Sequence, residues 1–144
     1  MRVSDVLRAK GPDVVTVRPS TSVREFVEIL ATRRIGACVV SDDGRTPDGM
    51  VSERDIAKGL AQHGAGLLEQ PVSAICTSLV RTATPDSTLD ELMRAMTEHR
   101  IRHMPIVVDG ALVGLVSIGD VVKNRIDELE EERAHLVDYI SSAG

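Results

Sequence analysis

Two stretches of this chain are copies of each other. Pro19 to Asp55 lies over Pro85 to Asp120 with a single one-residue adjustment: Thr16 falls on Thr82, Glu25 on Glu91, Arg34-Ile35 on Arg100-Ile101 and Gly44 on Gly110. Past one extra residue in the first copy, Gly49, Val51, Ser52, Asp55 and Lys58 fall on Gly114, Val116, Ser117, Asp120 and Lys123. The leading Val3-Ser4 is echoed by Val72-Ser73. A repeat of this length is one supersecondary unit that cannot bury its apolar face alone. Two copies therefore predict a pseudo-two-fold pair, with any cleft between them presented twice.

A chain of 144 residues fits one compact domain with a real core. That core must be aliphatic, because Phe26 and Tyr139 are the only aromatics. The formal charge is −5, from 22 acidic and 17 basic residues, which argues against nucleic acid as a partner, since a phosphate-backbone binder needs a concentrated basic face. A small anion in a locally basic pocket stays open. No apolar run reaches the roughly 18 residues of a membrane span, so no membrane partner is expected. The N-terminus lacks the apolar stretch of a signal peptide. Cys38 and Cys76 make no disulfide framework, and Cys38 sits in an apolar run, so a reduced, cytoplasmic protein is expected.

Periodicity assigns the same elements to each copy. Val14–Val17 reads as a short strand. Ser22-Val23-Arg24-Glu25 and Thr88-Leu89-Asp90-Glu91 read as capping boxes, in which the hydroxyl accepts from the third amide and the carboxylate reaches back. Behind them, Val23, Phe26, Val27 and Leu30 stand on one helical stripe, as do Leu89, Leu92, Met93 and Met96. Gly36–Val40 and Met104–Val108 read as buried strands. Asp42-Asp43-Gly44 and Asp109-Gly110 read as turns, the latter a hairpin signal. A third strand and a second helix follow, starting at Ser52 or Ser117. The last helix outlasts its partner: Val122, Ile126, Leu129, Leu136 and Ile140 form a heptad-like seam interrupted by Arg133, opposite a face of acids. That seam suits either packing on its own domain or pairing with a second subunit.

Ser52-Glu53-Arg54-Asp55 and Ser117-Ile118-Gly119-Asp120 sit where a strand ends and a helix starts. A helix N-terminus offers free amides and partial positive charge to a phosphate. A carboxylate one turn later suits the paired hydroxyls of a ribose. The competing reading is a capping box with Asp in the Glu position. Its recurrence at the same place in both copies favours a ligand site.

These features together resemble a tandem pair of CBS (cystathionine-β-synthase) domains, a Bateman module. The resemblance runs from about Val3 to Lys123. Its carriers are the Thr-x-x-Pro starts, the Arg-Ile segments before the second strand, and the segments Gly49-Met50-Val51-Ser52-x-x-Asp55 and Gly114-Leu115-Val116-Ser117-x-x-Asp120. It implies an α+β (α/β) fold of two β-α-β-β-α repeats side by side, with an extended C-terminal helix. The divisions are repeat 1 with its lead-in at 1–62, a connector at 63–71, repeat 2 at 72–126 and a helix extension at 127–144. It also implies a regulatory module without catalysis, of the kind found in stand-alone bacterial proteins. Such modules bind AMP, ADP, ATP, NAD(H) or S-adenosylmethionine as regulatory ligands rather than catalytic cofactors.

Carried onto this chain, the resemblance has Asp55 and Asp120 hold ribose hydroxyls while Ser52 and Ser117 touch phosphate. Thr16 and Thr82 would border the adenine. Gly36-Ala37 and His103-Met104-Pro105 would line the clefts, with the base between aliphatic groups such as Val39, Ile106 and Ile118. The clefts are expected to differ. The second copy has Arg102 and His103 where the first has Gly36 and Ala37, and the first has Arg54 where the second has Gly119. Each cleft is thus expected to carry a basic group in a different place. In both copies serine stands where the family often has threonine.

Other readings are weaker. His99 and His103 have a helical metal-ligand spacing, but Pro105 and the strand after it oppose a shared helical face, so no metal is expected. No nucleophile–base pair is visible, and a (β/α)₈ barrel of about 250 residues would not fit. A ligand-independent structural dimerisation protein is the main alternative. A homodimer is expected in either case, and a downstream effector has no signature in the sequence.

Overall fold

The computed structural model describes residues 1–11, 13–79 and 81–143, so Gly144 of the C-terminal extension lies outside the described residues. In the first copy, α1 (Val3–Lys10) precedes β1 (Thr16–Val17), α2 (Val23–Arg33), β2 (Ala37–Val40), β3 (Gly49–Ser52) and α3 (Glu53–His63). Two 3-10 turns, Gly64–Glu69 and Val72–Ala74, lead to β4 (Thr77–Ser78). The second copy continues with α4 (Leu89–His99), β5 (His103–Val108), β6 (Ala111–Ser117) and α5 (Ile118–Ala143).

The duplicated signals give duplicated local structure. Ser22 Oγ accepts from Glu25 N and Thr88 Oγ1 from Glu91 N, both at 3.1 Å. The reciprocal bond, Thr88 N to Glu91 Oε2, is present at 3.1 Å, so α4 has the complete box while only the forward bond is found at α2. Both helices end at an arginine in the left-handed region, Arg34 at φ 54° and Arg100 at φ 52°, a place usually given to glycine. Buried stripes follow the expected spacing: Val23, Phe26 and Leu30 on α2, and Leu89, Leu92 and Met96 on α4. Asp109 and Gly110 both take positive φ, as the two-residue hairpin between β5 and β6 requires.

The sheets differ in one respect from two equal copies. In the first, β1 runs parallel to β2, and β2, β3 and β4 pair antiparallel, so the start of the second copy supplies an edge strand to the first. In the second, β5 and β6 form a hairpin. The expected leading strand there is reduced to one parallel bridge, Ala83 to Ile106, ahead of the turn at Pro85. Between the copies, α3 extends to His63, and Leu67 is fully buried against Gly59.

The cores exchange their lead-in segments. Val3 and Val6 of α1, ahead of the first copy, are buried with Leu89, Leu92, Met96, Met104, Ile106, Val116 and Val121 of the second. Val72, ahead of the second copy, is buried with Val17, Phe26, Leu30, Cys38, Val40 and Val51 of the first. Each fully buried aliphatic side chain stabilises by about 1.5–3 kcal/mol relative to exposure, so neither half is complete without the other's lead-in.

Helix α5 leaves the body. Val121 is buried, but every described residue from Leu129 to Ala143 is exposed, which rules out a distal helix packed on its own domain. Val122, Ile126, Leu129, Leu136 and Ile140 are 46–62% exposed.

Candidate functional site

Where the two halves face each other they enclose a cleft of about 620 Å³. The start of β2 supplies Gly36 and Ala37. The end of β3 and the first turn of α3 supply Met50, Ser52, Glu53, Arg54 and Asp55. The tract through β4 supplies Thr77, Ser78, Leu79 and Arg81, and the entry to β5 supplies Arg100, Ile101, Arg102, His103 and Pro105. Eight residues expected from the sequence therefore converge here: Gly36, Ala37, Ser52, Arg54, Asp55, Arg102, His103 and Pro105.

The expectation that basic groups divide between two clefts is corrected by this arrangement. Arg54, Arg102 and His103 lie in the same cleft, together with Arg81 and Arg100. The start of β5 crosses to the first copy's Ser-x-x-Asp segment, so residues that are equivalent in the alignment face one another instead of lining separate sites. Four guanidinium groups against the carboxylates of Glu53 and Asp55 make this a positive region in a negatively charged chain.

The strands and their burial correct three further expectations. Side chains along a strand face opposite sides in turn, so His103, Met104, Pro105 and Ile106 cannot all face one cleft. His103 and Pro105 line it, while Met104 and Ile106 are fully buried in the second core. Val39 shares the Ala37 side of β2 but is 0% exposed and offers no surface. Thr16 is engaged with Val39 through strand pairing, Thr82 is exposed, and neither lines the cleft.

At Asp55, Oδ2 accepts from Ser52 N at 2.9 Å and Ser52 Oγ at 3.2 Å. Glu53 N donates to Gly36 O at 3.0 Å, tying the helix start to the β2 entry. At Gly36 a Cβ would sit 3.1 Å from Glu53 Oε1 and 3.9 Å from His103 Nε2, so a side chain there would crowd the cleft end of Glu53. No cation pairs with Asp55 among the described residues.

The second segment is held differently. Asp120 Oδ2 accepts from Ser117 N at 2.9 Å, and Ser117 Oγ accepts from Asp120 N at 3.1 Å. Lys10 Nζ then donates to the same Oδ2 at 2.7 Å. Burial alone would raise the Asp120 carboxyl, but the bonds from Lys10 and Ser117 outweigh it and hold it below the ordinary carboxylate range. Ser117, Ile118, Gly119 and Asp120 stand apart from the described cleft. His103 lies between the two segments. Burial, followed by Lys10, pushes its imidazole below the usual histidine range, against the pull of Asp120 and Glu53.

The capping-box reading of both Ser-x-x-Asp segments is thus realised. As for the metal-ligand spacing, His99 accepts from Arg81 Nε at 3.0 Å while His103 faces the cleft, and no cluster of three potential ligands forms among the described residues.

The CBS domain family profile matches residues 3–62 and 72–127. The chain belongs to the CBS-domain family. This CBS pair is similar to the solved CBS-domain protein ATU1752 from Agrobacterium tumefaciens, with 45% identity, a TM-score of 0.82, and coverage of 86% of this chain and 92% of that one. It is also similar to PAE2072 from Pyrobaculum aerophilum, solved in complex with AMP, at 33% identity and TM-score 0.73, covering 83% and 89% of the two chains. The CBS domain pair of protein MJ0100, solved with 5′-methylthioadenosine and S-adenosyl-L-methionine, shares 26% identity at TM-score 0.78, covering 89% of this chain and 98% of that one. Relatives of this CBS pair therefore bind adenosine-containing ligands, and its fold is that of two-repeat CBS structures.

The cleft residues not anticipated from the sequence are Met50, Glu53, Thr77, Ser78, Leu79, Arg81, Arg100 and Ile101. Arg100-Ile101 had a signal, its repetition of Arg34-Ile35. The Thr77–Arg81 tract had none within the repeat, because it reaches the cleft only through the exchange of lead-in segments.

Proposed function

We propose that this protein is a non-catalytic sensor that binds a phosphorylated adenosine ligand in the cleft beside Asp55. The observation that carries this reading is a carboxylate at a helix start, with no cation paired to it among the described residues, in a cleft lined by four arginines. Asp55 would accept from the ribose hydroxyls, and Ser52 would turn its hydroxyl from Asp55 to phosphate. Arg54 and Arg102, joined by Arg81 and Arg100, would hold further phosphate oxygens. The adenine would lie against Ala37, Met50, Ile101 and Pro105. A positive cleft favours AMP, ADP, ATP or NAD(H) over the sulfonium of S-adenosylmethionine.

The exposed seam of α5 supports a homodimer formed through that helix, and the same seam is the observation behind the alternative, a ligand-independent dimerisation protein. The two free thiols fit a reducing, cytoplasmic setting. A downstream partner would read a ligand-dependent change only if the ligand binds two arrangements unequally.

Titration calorimetry against AMP, ATP, NADH and S-adenosylmethionine tests this. Saturable binding of a phosphorylated ligand, weakened about 10- to 100-fold by Asp55→Ala, is expected from losing hydrogen bonds to a charged group. Binding unchanged by Asp55→Ala overturns the ribose assignment. No binding at millimolar concentration, with dimers intact, supports the structural alternative, and turnover of a bound nucleotide would make the protein an enzyme.

A further inference from the structure

We propose that Lys10 is a built-in competitor that closes the second Ser-x-x-Asp segment to nucleosides, so that each chain takes up a single ligand, at Asp55. The inference rests on the reading of the first cleft as an adenosine site. Its starting point is a difference between two segments that the sequence makes alike. Lys10 Nζ lies 2.7 Å from Asp120 Oδ2 and 2.7 Å from the carbonyl oxygen of Leu115. In the first copy the carbonyl equivalent to Leu115 is that of Met50, and it receives the short hydroxyl of Thr77, at 3.4 Å. That hydroxyl stops at the carbonyl, whereas the lysine goes on to the carboxylate. Asp55 is left facing the cleft and Asp120 is bonded to the chain's own cation.

A ribose at Asp120 must displace this ammonium, since both seek the same carboxylate. An ion pair at a partly exposed site is weak when its partners are free, but Lys10 is not free. It ends α1, whose Val3 and Val6 are fully buried in the second core. The other end of α1 is held by the Met1 ammonium, 3.0 Å from Glu128 on α5. Both anchors keep the lysine beside Asp120 at high effective concentration. The lock belongs to the exchanged lead-in helix, so it forms only when the two halves are assembled.

The experiment is calorimetric titration of the full-length chain with AMP and, separately, ATP, comparing wild type, Lys10→Met, Lys10→Arg and Asp55→Ala. Methionine keeps the apolar stem and removes the charge, while arginine keeps a cation, and thermal melts confirm that each variant folds. The expected result is one ligand per chain in wild type and Lys10→Arg, bound about 10- to 100-fold more weakly in Asp55→Ala, and two per chain in Lys10→Met. Two ligands per wild-type chain, or one in Lys10→Met, overturns the lock while leaving the Asp55 site standing. No binding in any protein removes the adenosine reading first, and the lock with it.

Discussion

The carbonyl oxygen of Thr77 occupies the place of a side chain on Gly49, 2.6 Å from where a Cβ would be. Across the pseudo-two-fold, Leu7 fills the corresponding place at Gly114, its Cδ2 2.5 Å from that Cβ position. Both glycines let an exchanged lead-in segment close on a strand of the other half. The contacts differ in hardness, because Thr77 presents backbone within the β3–β4 ladder and Leu7 the far end of a flexible side chain. Gly49→Ala is expected to destabilise by about 2–3 kcal/mol and Gly114→Ala by about 1 kcal/mol, within the usual range for overpacking. Urea unfolding of the two variants measures the order, and an equal or reversed cost would contradict the rigidity argument.

His103 makes stability depend on pH. Its folded pKa is depressed by burial and by Lys10, so the unfolded chain binds a proton at higher pH than the folded chain does. Stability is then full above the unfolded value of about 6.5 and falls as pH drops below it toward the folded pKa. Melting temperatures measured between about pH 7.5 and 5.5 should fall less in His103→Gln than in wild type. Parallel curves would assign the acid sensitivity to other groups.

The cleft arginines should separate phosphate from nucleoside recognition. Arg100→Gln and Arg102→Gln are each expected to weaken ATP binding by about tenfold, as for loss of one charge-assisted hydrogen bond. Affinity for 5′-methylthioadenosine, which has no phosphate, should stay nearly constant. Equal losses for both ligands would mean that these arginines shape the cleft instead of binding its anion.

The seam of α5 predicts an assembly phenotype without a folding phenotype. Leu136 and Ile140 are 60% and 62% exposed and touch no core. Leu136→Glu with Ile140→Glu should turn dimers into monomers in sedimentation while leaving chemical unfolding of the body nearly unchanged, since exposed substitutions shift stability by about 0.5 kcal/mol or less. A wild-type chain that sediments as a monomer at every concentration would make the seam a solvated face.

Local rules were legible throughout. The forward caps at Ser22 and Thr88, the stripes on α2 and α4, the Asp109-Gly110 hairpin and the two Ser-x-x-Asp helix starts depend on residues within a few positions of each other, where spacing dictates contact. The site was legible in part: Ser52, Asp55 and the basic residues Arg54, Arg102 and His103 stood out, but their grouping did not. The expectation failed where it divided the basic groups between two clefts and where it took Met104 and Ile106 along with Pro105.

By itself, the sequence determined a duplicated α+β unit, an aliphatic core, capped helices and a pair of carboxylates waiting at helix starts. Only the tertiary structure decided that lead-in segments change places, that four arginines line the same cleft as Asp55, and that Lys10 reaches Asp120. The reason is physical. Capping and periodicity act over a few residues, whereas which halves bury each other's valines, and which charges then meet, is settled by packing between segments far apart in the chain.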